Sequence, residues 1–305
     1  MHPDVRVLGD VRPLERPLLI AAFDGRNGSS AVAAVAYLAH HWNAQPVAEI
    51  EPDGYFDFTV LRPSVRFDHG QRVVEWPDAK FAVARPEGAG RDIVLFVGAE
   101  PHLRWRTYGE AFASVADALG VEQTMIVNAY PGGAAHTRPI PMHLVGAEDA
   151  EAEQFALPSR SPRYQGPVAF AMAIAVEERE RGRGGFSLTA IAPFYVTGDA
   201  NPYAVRALVK AIDHALGTQT ALEQIDGRIA EADIDLVDAF AAQPDLQELI
   251  HGLEQQHDET MPPTPLVGEL IDPSAVVDDV EAFLRSQRDR GTADGGATEG
   301  GSRLV

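Results

Sequence analysis

The segment Asp92–Gly98, DIVLFVG, is a continuous apolar run too short for a helix and rich in β-branched and aromatic residues. A run with no polar face suits a strand covered on both sides. The next segment of chain narrows the fold further. Thr107–Leu119 puts Phe112, Val115, Ala116 and Leu119 on one helical face and ends at Gly120, a residue suited to the left-handed turn after a helix. The unit of strand, turn and helix recurs along the chain. Leu18–Phe23, bounded by Pro17 and Asp24-Gly25, precedes an alanine-rich helix capped by Ser29 or Ser30 and running to about His41. Val47–Ile50, Thr124–Tyr130, Met142–Ala147 and Ser187–Phe194 are further strands, and Val168–Arg181 is a helix closed by the Gly182–Gly185 cluster. Asn201 caps another helix, with Pro202 at its first position. This alternation predicts an α/β fold, with a largely parallel sheet covered on both faces. Phe56–Val60, Val65–Asp68, Arg72–Trp76 and Lys80–Arg85 alternate between turn residues and read as antiparallel edge strands or hairpins, a segment expected at an edge of the sheet. Glu148–Gln165 is polar and reads as a long loop.

Beyond Gly217 the pattern changes. Leu222, Ile225, Ile229, Ala232, Leu236 and Phe240 step by three and four, and Pro244 opens a second helix carrying Leu246, Leu249, Ile250 and Leu253. Pro262, Pro263 and Pro265 read as a stiff linker, Val276, Val277, Val280, Phe283 and Leu284 as a third helix, and Gly291–Val305 as a disordered tail. Between residues 215 and 289 there are seventeen carboxylates against three arginines. The expected organisation is a core domain over 15–217, an acidic helical region over 218–288 and a tail over 289–305.

Charge and composition then exclude whole classes. The chain has 305 residues and a formal net charge of −20, a surface that repels nucleic acid. It has no cysteine, so disulfides, thiol catalysis and cysteine-held metals are ruled out. The longest apolar run, Val168–Val176, is half the length of a membrane span, and Met1–Val11 lacks a basic-then-apolar signal pattern. The expectation is a cytoplasmic protein with no membrane or nucleic-acid partner.

Three loops come directly after central strands, where ligands collect in open α/β sheets. In the first, Asp24, Arg26, Asn27 and Gly28 lie before a helix start, where backbone N–H groups favour an anion; a tight strand-to-helix turn needs the same residues. The second carries His102, Arg104 and Arg106 around Trp105. These could hold a carboxylate or phosphate, or the indole could pack under the loop while the arginines pair with nearby acids. The third carries His136 and Arg138, a group titrating near neutrality and a clamp for an anion. No nucleophile with a partnered base accompanies them, and the seven-residue gap from His136 to His143 is no metal-ligand spacing. No catalytic residue, cofactor or metal is expected. His40-His41 at a helix end suits the dipole rather than a metal.

Phe56-Asp57-Phe58-Thr59, Arg62-Pro63, Gly98-Ala99-Glu100-Pro101, Trp105-Arg106, His136-Thr137-Arg138, Tyr164-Gln165-Gly166-Pro167, Pro193-Phe194-Tyr195-Val196 and Asn201-Pro202 occur in this order. Over roughly residues 15–217 the set resembles the bacterial branch of the proteasome assembly chaperone family, the type-two chaperone group. The acidic helices resemble the extension of its actinobacterial members. Ala135 stands where the family often has proline. The resemblance implies a three-layer α/β/α fold similar to nucleoside phosphorylases and hydrolases, a homo-oligomer, often a trimer, and a non-enzymatic scaffold or assembly chaperone with proteasome-related partners. The alternative reading is a protein or enzyme that binds an anionic metabolite or nucleotide in the crevice at the strand ends.

Overall fold

The computed structural model describes residues 1–10, 13–25, 29–77, 79–161, 163–242 and 244–259. The expected linker, third helix and tail lie outside these residues. Four parallel strands form the centre of a nine-stranded sheet: β2 (Leu18–Asp24), β7 (Ile93–Ala99), β8 (Gln123–Gly132) and β11 (Gly184–Pro193). They lie in the order β7-β2-β8-β11. Outside β7 the sheet continues with β6 (Ala79–Ala84), β3 (Gln45–Ile50) and β1 (Val5–Val7), each antiparallel to its neighbour. Outside β11 come β9 (Met142–Val145), antiparallel, and β10 (Ser159–Arg160), parallel to β9. The sheet is therefore parallel at its centre and mixed at both margins. Of the parallel strands, β2 and β7 are apolar along nearly their whole length, because they are covered on both faces.

Alternate residues of β2 feed two separate cores. Leu18, Ile20 and Ala22 face α1 (Ser29–His41) and α5 (Pro202–Leu216), whereas Leu19, Ala21 and Phe23 face α2 (Trp105–Leu119) and α4 (Phe170–Glu180). This is the helix–sheet–helix layering of an α/β/α fold. The second core is aromatic. Phe112 of α2 lies 5.3 Å from Phe81 and 5.0 Å from Phe96, ring centre to ring centre. Asn201 caps α5 by accepting from the Ala204 N–H, and Gly217 ends it with φ of 71°. A buried ion pair ties α4 to its own sheet: Arg183 donates to both oxygens of Glu178, at 2.6 and 2.7 Å, and Glu178 also accepts from Thr124 at 2.8 Å.

Three expectations need correction. Phe56–Val60 forms turns and no strand, because Phe56 drops into the aromatic core instead of alternating along a sheet. Glu148–Gln165 is not all loop. It holds α3 (Asp149–Phe155), started by a reciprocal cap between Glu148 and Glu151, and then β10. The residues 65–76 do form a hairpin, β4 (Ser64–Asp68) with β5 (Gln71–Glu75), but it stands as a two-stranded sheet of its own and not at the edge of the large one. The acidic segment forms α6 (Glu223–Ala242) and α7 (Pro244–Glu259). Ile225 of α6 enters the core between α1 and α5. Tyr164–Pro167 does not belong to the main compact unit; within it the Tyr164 hydroxyl donates to the Pro167 carbonyl at 2.9 Å.

Candidate functional site

The loops beyond β2, β7 and β8 carry every candidate residue. Arg26, Asn27 and Gly28 lie outside the described residues. Asp24 ends β2 exposed and accepts from the Ser29 hydroxyl at 3.1 Å. Its carbonyl accepts from the Glu100 N–H at 2.7 Å. A side chain at position 25 would meet the Glu100 carboxylate at 2.7 Å, so anything larger than glycine there would push that carboxylate aside. The other Glu100 oxygen accepts from the Phe170 N–H at 3.2 Å. It thus serves the start of α4, whose own cap residue, Ala169, has no side chain that can accept. Burial, and then the Glu100 charge, push the Tyr130 phenol above its ordinary pKa. This end of the central strands is thus lined by the carboxylates Asp24 and Glu100.

His102 and Arg104 turn away from that spot. The His102 Nδ1 accepts from the Asp57 N–H at 3.1 Å, and its ring stands edge-on to Phe56. Arg104 precedes α2 with a left-handed φ of 54°. Its guanidinium lies 5.0 Å from the centre of the Tyr55 ring and 3.7 Å from Asp4. The Tyr55 hydroxyl donates to that same Asp4 carboxylate at 2.5 Å. Trp105 donates its indole N–H to the Pro101 carbonyl at 2.7 Å and packs edge-on against Phe170. Of this loop's cations, Arg106 alone points outward with no hydrogen bond or ion pair among the described residues.

The third loop is gripped by the acidic helices. Arg138 donates to both oxygens of Asp258, at 2.8 and 2.9 Å, and lies 3.6 Å from Glu254. Thr137 donates to Glu254. The Arg138 guanidinium holds the Asp258 carboxyl below its usual range, and the Thr137 hydroxyl does the same for Glu254. The Tyr195 hydroxyl accepts from the His136 N–H at 2.8 Å and donates to the ring Nδ1 at 2.8 Å. Burial lowers the His136 pKa and raises that of Tyr195 to about 12, so both are neutral at pH 7. Phe240 of α6 closes over the imidazole. The anion that Arg138 was expected to clamp is supplied here by the chain itself.

The three loops thus do different things. One offers carboxylates, one holds the N-terminal segment, and one anchors α7. Among the described residues no group of three or more His, Asp or Glu could hold a metal. No helix is long and apolar enough to cross a membrane, again among the described residues. Glu100 and Tyr195 stand within the ordered segments Gly98–Pro101 and Pro193–Val196, but nothing local marks what they do, because each acts on a segment far away in the chain.

The PAC2 family profile matches residues 23–236. A PAC2 family protein of Streptomyces avermitilis is 32% identical with a TM-score of 0.65, the match covering 74% of this chain and 98% of that one. A proteasome-assembly chaperone homologue of Mycobacterium tuberculosis is 32% identical with a TM-score of 0.66, covering 76% and 99%. An archaeal proteasome activator of Pyrococcus furiosus, at 17% identity, shares the fold with a TM-score of 0.60 over 77% of this chain and 98% of its own. No curated protein matches. From the ordered residues, the layered sheet and these matches together, the chain belongs to the PAC2 family.

Proposed function

We propose that this chain is a non-catalytic, protein-binding scaffold of the cytoplasm that acts as an assembly chaperone on proteasome-related proteins and works as a homo-oligomer, a trimer before a dimer. The observation that carries the reading is the 32% identity, over 76% of this chain, to a protein named a proteasome-assembly chaperone homologue, which is matched over 99% of its own length. The loop chemistry supports it. Hydrolytic or phosphorolytic chemistry needs an activated nucleophile or water and a base within reach. Asp24, His102 and His136 instead bond to Ser29, the Asp57 backbone and Tyr195. Arg104 and Arg138 face the chain's own carboxylates, which disfavours an anionic small ligand there.

Mixing the purified chain with proteasome subunits tests this reading. We expect a complex that survives gel filtration, and no saturable thermal stabilisation by phosphate, nucleosides or nucleotides. Saturable stabilisation by one of these, with no subunit complex, would replace the scaffold with a metabolite-binding protein.

A further inference from the structure

The β4–β5 hairpin has two unlike faces. Its turn is tight, with His69 and Gly70 both at positive φ, 46° and 82°, the geometry that suits the twist of a two-residue hairpin. Directly paired residues share a face, and the register pairs Val65 with Val74, Phe67 with Arg72 and Arg66 with Val73. One face therefore carries Arg66, which reaches Glu75 and lies 3.5 Å from Asp68. The other carries Val65, Val74 and Phe67, with Arg72 opposite Phe67, and at its base Trp76, which rests on Phe58. That apolar face is bare: Phe67 is 73% exposed and Trp76 50%. A two-stranded ribbon is marginal in water unless its apolar face is covered.

A matching surface exists on the same chain. The outer face of α6 exposes Ile234 and Val237, at 64% and 63%, among exposed Glu231, Asp235 and Asp238. The spacing of 231, 234, 235 and 238 puts these on one helical stripe. The charges also match. Segment 60–77 holds Arg62, Arg66 and Arg72 against only Asp68 and Glu75, a basic stretch in a chain of net charge −20. The two surfaces cannot meet within one copy by simple folding. Phe58 and Leu61, at the root of the hairpin, pack on the α2–α4 side of the sheet, whereas Ile225 and Ile229 of α6 pack on the α1–α5 side.

We infer that the apolar face of the hairpin docks on the outer face of α6 of a second copy of this chain, head to tail. Val65, Phe67 and Val74 cover Ile234 and Val237, and Arg72, on the same face as Phe67, meets Glu231, Asp235 and Asp238. Contacts of this heterologous kind close into a ring when the rotation between copies allows. The inference rests on the self-assembly proposed above and names the surfaces that perform it.

The test is the mass of the full chain by light scattering, with cross-linking in its cysteine-free background. Wild type should be an oligomer. Phe67→Asp and Val237→Asp should each fall to a species near the 32.9 kDa of one chain with unchanged circular dichroism, since both side chains are exposed. Mixed Arg72→Cys and Asp235→Cys chains should oxidise to covalent dimers that neither gives alone. A wild-type monomer would remove self-assembly itself and this interface with it. A wild-type oligomer that Phe67→Asp leaves intact would remove this interface only. Arg72→Cys cross-linking to itself would show hairpin against hairpin and overturn the head-to-tail arrangement.

Discussion

Two antiparallel pairings in this molecule use the same kinds of residue and meet opposite fates. In β6–β7, Phe81 lies directly opposite Phe96 and both are fully buried, their ring centres 4.6 Å apart. In β4–β5, Val65 lies directly opposite Val74 and both stand in water. Strand geometry does not separate them. The next layer does: Phe112 of α2 covers the first pair, and no helix among the described residues covers the second. Apolar content therefore marks a surface that needs covering, and the covering element need not lie in the same chain.

The sharpest way to probe that contrast is truncation on either side of it. Phe112→Ala opens a cavity among packed rings and should cost about 3–5 kcal/mol of folding stability. Phe67→Ala, measured by denaturant at a dilution where single chains prevail, should stay within about 0.5 kcal/mol. A comparable loss at both positions would mean the hairpin is packed within the chain. Charge shows the same contrast. Arg183→Met strands the buried Glu178 carboxylate and should cost about 3–5 kcal/mol. Arg66→Ala removes only an exposed pair, with an effect of about 1 kcal/mol or less; equal losses would contradict the difference in burial.

A buried base sharpens the contrast through pH. His143 on β9 is 1% exposed, with neither ring nitrogen hydrogen-bonded, and burial lowers its pKa to about 4. Unfolding returns it to an ordinary value of about 6.5, so the unfolded chain takes up the proton first. Its contribution is present above pH 6.5 and is lost as pH falls toward 4, at most about 3 kcal/mol. Replacing it by leucine should flatten the stability profile across that window relative to wild type; an unchanged slope would mean that His143 is solvated. The smallest expected effect is at Arg138. Arg138→Ala should speed amide exchange in α7 while barely moving the melting temperature, because the pair is at the surface. Unchanged exchange would show that α7 is held by its apolar contacts instead.

Much of the fold was legible in the chain. Apolar runs such as Leu18–Phe23 and Asp92–Gly98 have one reading when helical periods come after them, and Asn201-Pro202 and Gly217 mark helix ends by local chemistry alone. Two kinds of feature were not legible. Phe56 looks like part of an alternating strand, and only the aromatic cluster around Tyr108 shows why it turns inward. The candidate loops were found, but not what they touch. Arg138 meets Asp258 across 120 residues and Arg104 meets Asp4 across 100, and nothing in the local spacing of an arginine says which carboxylate it will find. For Arg104 and Arg138 the nearby anion is a carboxylate of the same chain.

Recovery of proteasome subunits on the tagged full-length chain from its own host, compared with a variant carrying Asp24→Ala, His102→Ala and His136→Ala, tests the scaffold function most directly. A surface-binding chaperone should recover the same subunits in the same amounts with both proteins. Absence of proteasome subunits from the wild-type sample, or their loss in the triple variant together with an enzymatic turnover that wild type alone displays, would contradict it.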